Sequence, residues 1–329
     1  MGKNGCPTIP LYDIAPCVQL LYWRDKNIFI EYITSYRNKM SRKVYKTEEG
    51  KQASISLYEE QLRLLDTPYS DIYIDTDFGK THLIETGKTT GKPLLVFHGG
   101  NTTTAYNLYL FRFLLEEFHI YAVDTIGHPG KSAEKILSAN SLSYGQWASQ
   151  VVSRLGFTEM SVLGCSYGGG IVGKLIEVSP EKIERAVLVV PSGIKNDVSV
   201  SILTMLFNLF AYRLTKNESY LIKTALYLTA TSDQSSLDEH ILAVLKDSFD
   251  HVKMRTGMPS NISKKGASRY NAPILVMAAE KDCFFPAKKV LPRAKEIFEH
   301  CKTYELTARG HLSALTTEEQ EIIIDFLRG

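Results

Sequence analysis

Between Asp71 and Ser192 the chain alternates short apolar runs with stretches of helical period, an order that few folds accept. "DIYIDTDFGKTHLIETG" (71–87) alternates apolar and polar residues about a turn, which predicts a β-hairpin. "PLLVFHGG" (Pro93–Gly100) and "HIYAVDTIGHPGKS" (His119–Ser132) are continuous apolar runs with glycine-rich exits, as expected of strands buried on both faces. "MSVLG" (Met160–Gly164) and "RAVLVVPS" (Arg185–Ser192) repeat that pattern. "FRFLLEEF" (Phe111–Phe118), "SYGQWASQVVSRLG" (Ser143–Gly156) and the segment from Gly168 have helical spacing. Strands alternating with helices predict a parallel sheet joined by right-handed crossovers.

The alternation lapses from Gly193 to Tyr270. There "VSILTMLFNLFAYRL", "YLIKTALYLTA" and "LDEHILAVLKDSF" predict successive helices. The sheet resumes with "APILVMAAEKD" (Ala272–Asp282), followed by the helix "AKKVLPRAKEIF", the strand "KTYEL" and a helix from Thr317. Upstream, "VQLLYWRDKNIFIEYITSYRNKM" (Val18–Met40) and "SLYEEQLRLLD" (Ser56–Asp66) predict peripheral helices. The expected division is an N-terminal helical extension (1–70), an α/β core (71–192 and 271–329) and a helical cap (193–270).

Chemistry enters at "GCSYG", Gly164–Gly168, where a strand turns into a helix. A serine hydroxyl is a weak nucleophile unless it is held exposed beside a base. A sharp strand-to-helix turn holds it so, and requires small residues two positions before and after, here Gly164 and Gly168. Ser166 is therefore the candidate nucleophile, and its neighbour Cys165 is read as a packing residue. Partners should follow in the order acid, then histidine. Asp282, in the loop after an apolar strand, is the favoured acid, with Glu280 its competitor. His311, in "ARGH" after the next short strand, is the natural base. His82, His119, His240, His251 and His300 are weaker candidates. An acyl-transfer site also needs donors for the oxyanion: the backbone N–H of Tyr167, just after the nucleophile, and that of Gly100 in "FHGGN". His98 is expected to order that loop by hydrogen bonding, and Asp124 to cap a turn.

Taken in order, "HGG", "VDTIGHPGKS", "GCSYGGG", "AAEKD" with a following proline, and "ARGH" resemble the α/β-hydrolase superfamily over about Asp71 to Gly329. "FGKTHLIETG", "IYAVDTIG" and "KS" further resemble bacterial carboxylesterases of the naproxen-esterase type. The resemblance implies an α/β-hydrolase fold: a mostly parallel eight-stranded sheet flanked by helices, with a helical cap inserted after strand six. It also implies a Ser166–His311–Asp282 triad and no cofactor; no metal site is expected. Ala278 and Ala279 stand where many relatives carry a glycine before the acid loop.

The functional expectation is a serine hydrolase that cleaves an ester of a small to medium apolar acyl group through an acyl-enzyme. Rivals within the superfamily are a lipase, an aminopeptidase, a C–C bond hydrolase and a cofactor-free haloperoxidase; a ligand-binding protein without turnover is the rival outside enzymes. Epoxide hydrolases and haloalkane dehalogenases place an aspartate where Ser166 stands. A net charge of +2 and scattered lysines give no reason to expect nucleic acid or a membrane surface as partner. The N-terminus lacks the apolar core of a secretory signal, and Cys6 takes the place of the Ser or Thr of a myristoylation pattern. Five cysteines without CxxC spacing predict free thiols in a reducing cytoplasm. The oligomeric state stays open, a homodimer among the options.

Overall fold

A computed structural model describes residues 43–197, 202–255 and 257–329. The apolar runs form one sheet. Helix α1 (Glu48–Arg63) is followed by β1 (Tyr69–Thr76), β2 (Gly79–Gly87), β3 (Lys92–Phe97), α2 (Thr104–Leu110), β4 (Phe118–Val123), α3 (Ser143–Arg154), β5 (Met160–Cys165), α4 (Tyr167–Val178) and β6 (Ile183–Val189). Helices α5 (Ile202–Thr215), α6 (Ser219–Thr229), α7 (Glu239–His251) and the short α8 (Lys264–Ala267) come next. Strand β7 (Ile274–Ala279), helix α9 (Ala287–Ile297), strand β8 (Cys301–Leu306) and helix α10 (Thr317–Arg328) complete the chain. The eight strands lie in the order β1-β2-β4-β3-β5-β6-β7-β8. The β1–β2 and β2–β4 pairs are antiparallel and the others parallel.

Burial on both faces explains the continuous apolar runs. Successive side chains of a strand point to opposite faces. Leu95 and Phe97 join a core with Trp147 and Ile171 on one face, while Leu94 and Val96 join Tyr58, Leu62 and Ile323 on the other. With water excluded from both sides, a polar residue at these positions would lose its hydration without compensation.

Two sequence expectations shift. The helix expected at Phe111–Phe118 lies earlier, as α2, and only a 3₁₀ turn remains at Arg112–Leu114. Thr103 starts α2 by accepting a hydrogen bond from the N–H of Tyr106, and Phe118 is taken up as the first residue of β4. Strand β1 begins at Tyr69, two residues ahead of the expected boundary. Ser56–Asp66 falls within and just after α1, whereas Val18–Met40 lies outside the described residues. Among the described residues no helix is long and apolar enough to cross a membrane.

The strand order places the site. From β3 the chain moves to β4 on one side and later to β5 on the other. The loops leaving the carboxyl ends of β3 and β5 therefore diverge, and the crevice between them is where parallel sheets hold ligands.

Candidate active site

Ser166 sits between β5 and α4 with φ +51° and ψ −113°. That region of backbone space is sparsely populated by non-glycine residues and costs on the order of 1–3 kcal/mol. Backbone hydrogen bonds hold it there. The Ser166 N–H donates to Val189 O at 2.9 Å, and the Ser166 carbonyl accepts from Gly169 and Ser192, each at 3.0 Å. The flanking glycines are required by close approach. A Cβ on Gly164 would lie 2.6 Å from Gly168 O, and one on Gly168 would lie 2.2 Å from Phe97 O.

Asp282 lies in the turn after β7. Its Oδ1 accepts from the N–H groups of Phe284 (2.8 Å) and Phe285 (3.0 Å), which fixes the carboxylate plane. Its Oδ2 then meets His311 Nδ1 at 2.7 Å, and His311 Nε2 lies 2.9 Å from Ser166 Oγ. A carboxylate can only accept, so Nδ1 carries the ring proton and Nε2 presents its lone pair to the serine hydroxyl. Glu280 turns away: it is exposed, and its Oε2 accepts from Ala308 N–H at 2.7 Å. The structure thus brings Ser166, Asp282 and His311 together and leaves Glu280 outside.

The loop carrying His311 is tied at both ends. The Arg309 guanidinium donates to both oxygens of the buried Glu319 carboxylate, at 2.6 and 2.8 Å. Gly310 N–H donates to Thr229 O and Leu312 N–H to Leu228 O, so the end of α6 holds the loop. A Cβ at Gly310 would lie 2.3 Å from Leu228 O. The ties to α6 join segments more than 80 residues apart in the chain, so no local sequence signal marks them.

The remaining histidines lie elsewhere. His82 sits between Asp124 and Asp71, His119 pairs with Glu85, and His240 packs on the Tyr109 ring. His251 closes α7 and His300 precedes β8. His98 is buried, with Nδ1 2.7 Å from Gly99 O and Nε2 accepting from Thr125 N–H at 3.0 Å, so it ties the β3 exit to the β4 exit. Asp124 is buried and accepts from Lys131 N–H at 2.7 Å and from the Tyr58 hydroxyl at 3.2 Å, holding the turn after β4. Burial pushes the Cys165 thiol up to about 12, so it stays protonated beside the serine.

Gly99 and Gly100 approach Ser166 and Tyr167 closely: a Cβ on Gly99 would lie 3.6 Å from Ser166 Cβ, and one on Gly100 would lie 3.3 Å from Tyr167 Cβ. The backbone of Gly100 and that of Tyr167 therefore border the same space beside the serine.

That space opens into a cavity of about 160 Å³. Its apolar wall includes Leu110, Met205, Leu209, Leu228 and Phe284, and its polar wall includes Asn101, His128 and Arg255. A second cavity of about 630 Å³ shares Leu110, Cys165, His311 and Leu312 with it. His128 was not among the sequence candidates. "GHPG" marks it as part of a turn, and only the fold brings it to the cavity.

Two of these histidines are held neutral. Burial lowers the His98 pKa, against the pull of Asp124 and of its bond to Gly99. Burial carries His128 well below the usual range, with His98 and Arg255 adding to the effect. In an unfolded chain both titrate near about 6.5. Below that pH the unfolded chain takes up protons that the folded chain refuses. Their contribution to stability is full above about pH 6.5 and falls by up to about 1.4 kcal/mol per pH unit for each histidine below it. Thermal midpoints should therefore drop between about pH 6.5 and pH 5, and less steeply in His128→Leu. A flat profile across that window contradicts the assignment.

Comparison with known proteins agrees with this fold. A family model described as the α/β hydrolase fold matches residues 92–240. The chain is 25% identical over 282 residues to carboxylesterase YbfK of Bacillus subtilis, covering 83% of this chain and 92% of that protein. It is 23% identical to an uncharacterised carboxylesterase, nap, of the same organism, covering 78% of this chain and 86% of that one. The crystal structure of B. subtilis naproxen esterase superposes with a TM-score of 0.73 at 20% identity, covering 85% of this chain and 99% of the esterase.

Proposed function

The chain belongs to the α/β-hydrolase superfamily, and we propose that it is a serine carboxylesterase working through a Ser166 acyl-enzyme. The reading rests on one observation above the others: the hydrogen-bonded line from Ser166 Oγ through His311 to Asp282 at the mouth of a mainly apolar cavity. In the first step His311 Nε2 takes the hydroxyl proton as Ser166 Oγ bonds to the ester carbonyl carbon. The carbonyl oxygen becomes an oxyanion, which the N–H groups of Gly100 and Tyr167 receive. The C–O bond to the alcohol then breaks and His311 returns the proton to the leaving oxygen. Water repeats the sequence on the acyl-enzyme, releasing the acid. Asp282 holds the ring tautomer throughout and stabilises the imidazolium. Within this reading the cytoplasm is the expected location.

Helices α5–α7 act as a cap that bounds the acyl group. Met205 and Leu209 of α5, Leu228 of α6 and Val244 of α7 line the serine's cavity. Leu209→Trp should fill part of that cavity and move preference towards shorter acyl chains. One methylene in an apolar pocket is worth about ten- to two-hundredfold in kcat/KM, so the shift should be at least about tenfold. Assaying p-nitrophenyl esters of graded chain length tests both points. The reading expects turnover with a p-nitrophenolate burst equal to the enzyme concentration when deacylation is slow. No hydrolysis of any ester in the series would sink it, and an unchanged chain-length profile in Leu209→Trp would remove the cap from specificity.

A further inference from the structure

The polar wall of the cavity holds a cation for which no described residue supplies a counter-ion. Arg255 follows α7 and lines the same cavity as Ser166, and its guanidinium is half-buried. Among the described residues no carboxylate pairs with it. Its aromatic neighbours are the neutral phenols of Tyr144 and Tyr167, and burial lowers its pKa from the usual value. Arg293, Arg309 and Arg328, by contrast, each meet a carboxylate. A desolvated guanidinium facing a cavity is costly unless an anion completes it.

Its backbone is held in place. Asn101, in the β3 exit loop, donates through Nδ2 to Arg255 O and accepts at Oδ1 from Arg255 N–H, each at 3.0 Å. This reciprocal pair fixes the arginine's segment against the loop that carries Gly100. Asn101 has φ +56°, a left-handed conformation that asparagine tolerates better than most residues. The Asn101 carbonyl also accepts from Ser248 Oγ of α7.

A second, independent observation points to the same ligand. His128 lines this cavity, is 2% exposed, and leaves both ring nitrogens without a hydrogen-bond partner among the described residues. Its ring packs on Tyr167 with centroids 4.6 Å apart, next to the serine. A buried imidazole ordinarily satisfies its N–H, because a buried donor left unbonded loses its hydration without compensation. A neutral ring offers one donor and one acceptor to whatever occupies the cavity.

We propose that Arg255 and His128 form an anion subsite, and that the preferred substrate is a monoester whose acyl group ends in a carboxylate, the half-ester of a dicarboxylic acid. The guanidinium receives the distal carboxylate in the planar two-point arrangement that suits it, and His128 donates a further hydrogen bond. The ester end lies at Ser166, and the apolar wall takes the methylenes between. This deepens the esterase reading and rests on it for the chemistry, though not for the binding.

The test uses the full chain. Monoethyl succinate, glutarate and adipate are compared with uncharged ethyl esters of matching length, and hydrolysis is followed by ethanol release. At least one half-ester should exceed its uncharged counterpart in kcat/KM by about ten- to hundredfold, mostly through KM. That ratio should collapse in Arg255→Met and partly return in Arg255→Lys, which keeps the charge without the fork. Calorimetric titration of wild type with the free dicarboxylates gives a readout independent of turnover, and their binding should weaken by a similar factor in Arg255→Met. Uncharged esters cleaved as well as every half-ester, together with no dicarboxylate binding, would overturn the anion subsite and leave the esterase standing. Dicarboxylate binding that depends on Arg255, with no ester cleaved, would support the subsite and overturn the esterase.

Discussion

Ser166→Ala is expected to lower kcat by roughly a millionfold while leaving the fold intact, the loss seen when a triad nucleophile is removed. The size follows from what the hydroxyl does. Without it no acyl-enzyme forms, and only the oxyanion donors and substrate binding remain, worth about 10³–10⁴ over water. The fold should tolerate the change because the strain at this position is carried by the backbone. Gly164, Gly168 and the backbone bonds around Ser166 set the turn, and the side chain contributes one hydrogen bond, to His311. Circular dichroism and the thermal midpoint should match wild type. Near-normal esterase activity in this variant would remove the covalent mechanism.

Asp282→Asn is expected to cost about ten-thousandfold in kcat. Oδ1 of Asp282 is fully engaged by two backbone N–H groups, from Phe284 and Phe285, so an asparagine keeps its oxygen there and turns its amide nitrogen towards His311. That NH₂ can only donate. It forces His311 into the tautomer with its proton on Nε2, where no lone pair is left to accept from Ser166. Glu280→Gln should change turnover little, because Glu280 bonds to Ala308 N–H and not to the imidazole. A larger loss in Glu280→Gln than in Asp282→Asn would reverse the assignment of the acid.

What the sequence made legible follows the range of the interactions. Strands β3, β5, β6 and β7 announce themselves because burial on both faces leaves them few polar positions, and β7 none. Ser166 is legible because its turn needs glycines at fixed offsets, a purely local demand. Position alone does not separate Asp282 from Glu280, since both follow β7; the contact to His311 does, and it depends on which carboxylate the turn's N–H groups capture. The misplaced helix at Phe111–Phe118 shows the opposite failure. Its apolar spacing is real, but Phe111, Leu114 and Phe118 serve the core from a turn and a strand. Arg255 and His128 were invisible for a third reason. Nothing local marks them, and Arg255 is fixed by a residue 154 positions away.

The central claim is that Ser166 is the activated nucleophile of the chain, and a fluorophosphonate tests it most directly. The reagent phosphonylates a serine only where a base removes its proton and donors receive the developing charge. Wild-type protein treated with a slight excess, then digested and mapped by mass spectrometry, should carry one adduct per chain, on the peptide containing Gly164–Gly168 and at Ser166. His311→Ala should label far more slowly. An adduct on another residue, or no adduct while the protein still hydrolyses esters, would contradict the account.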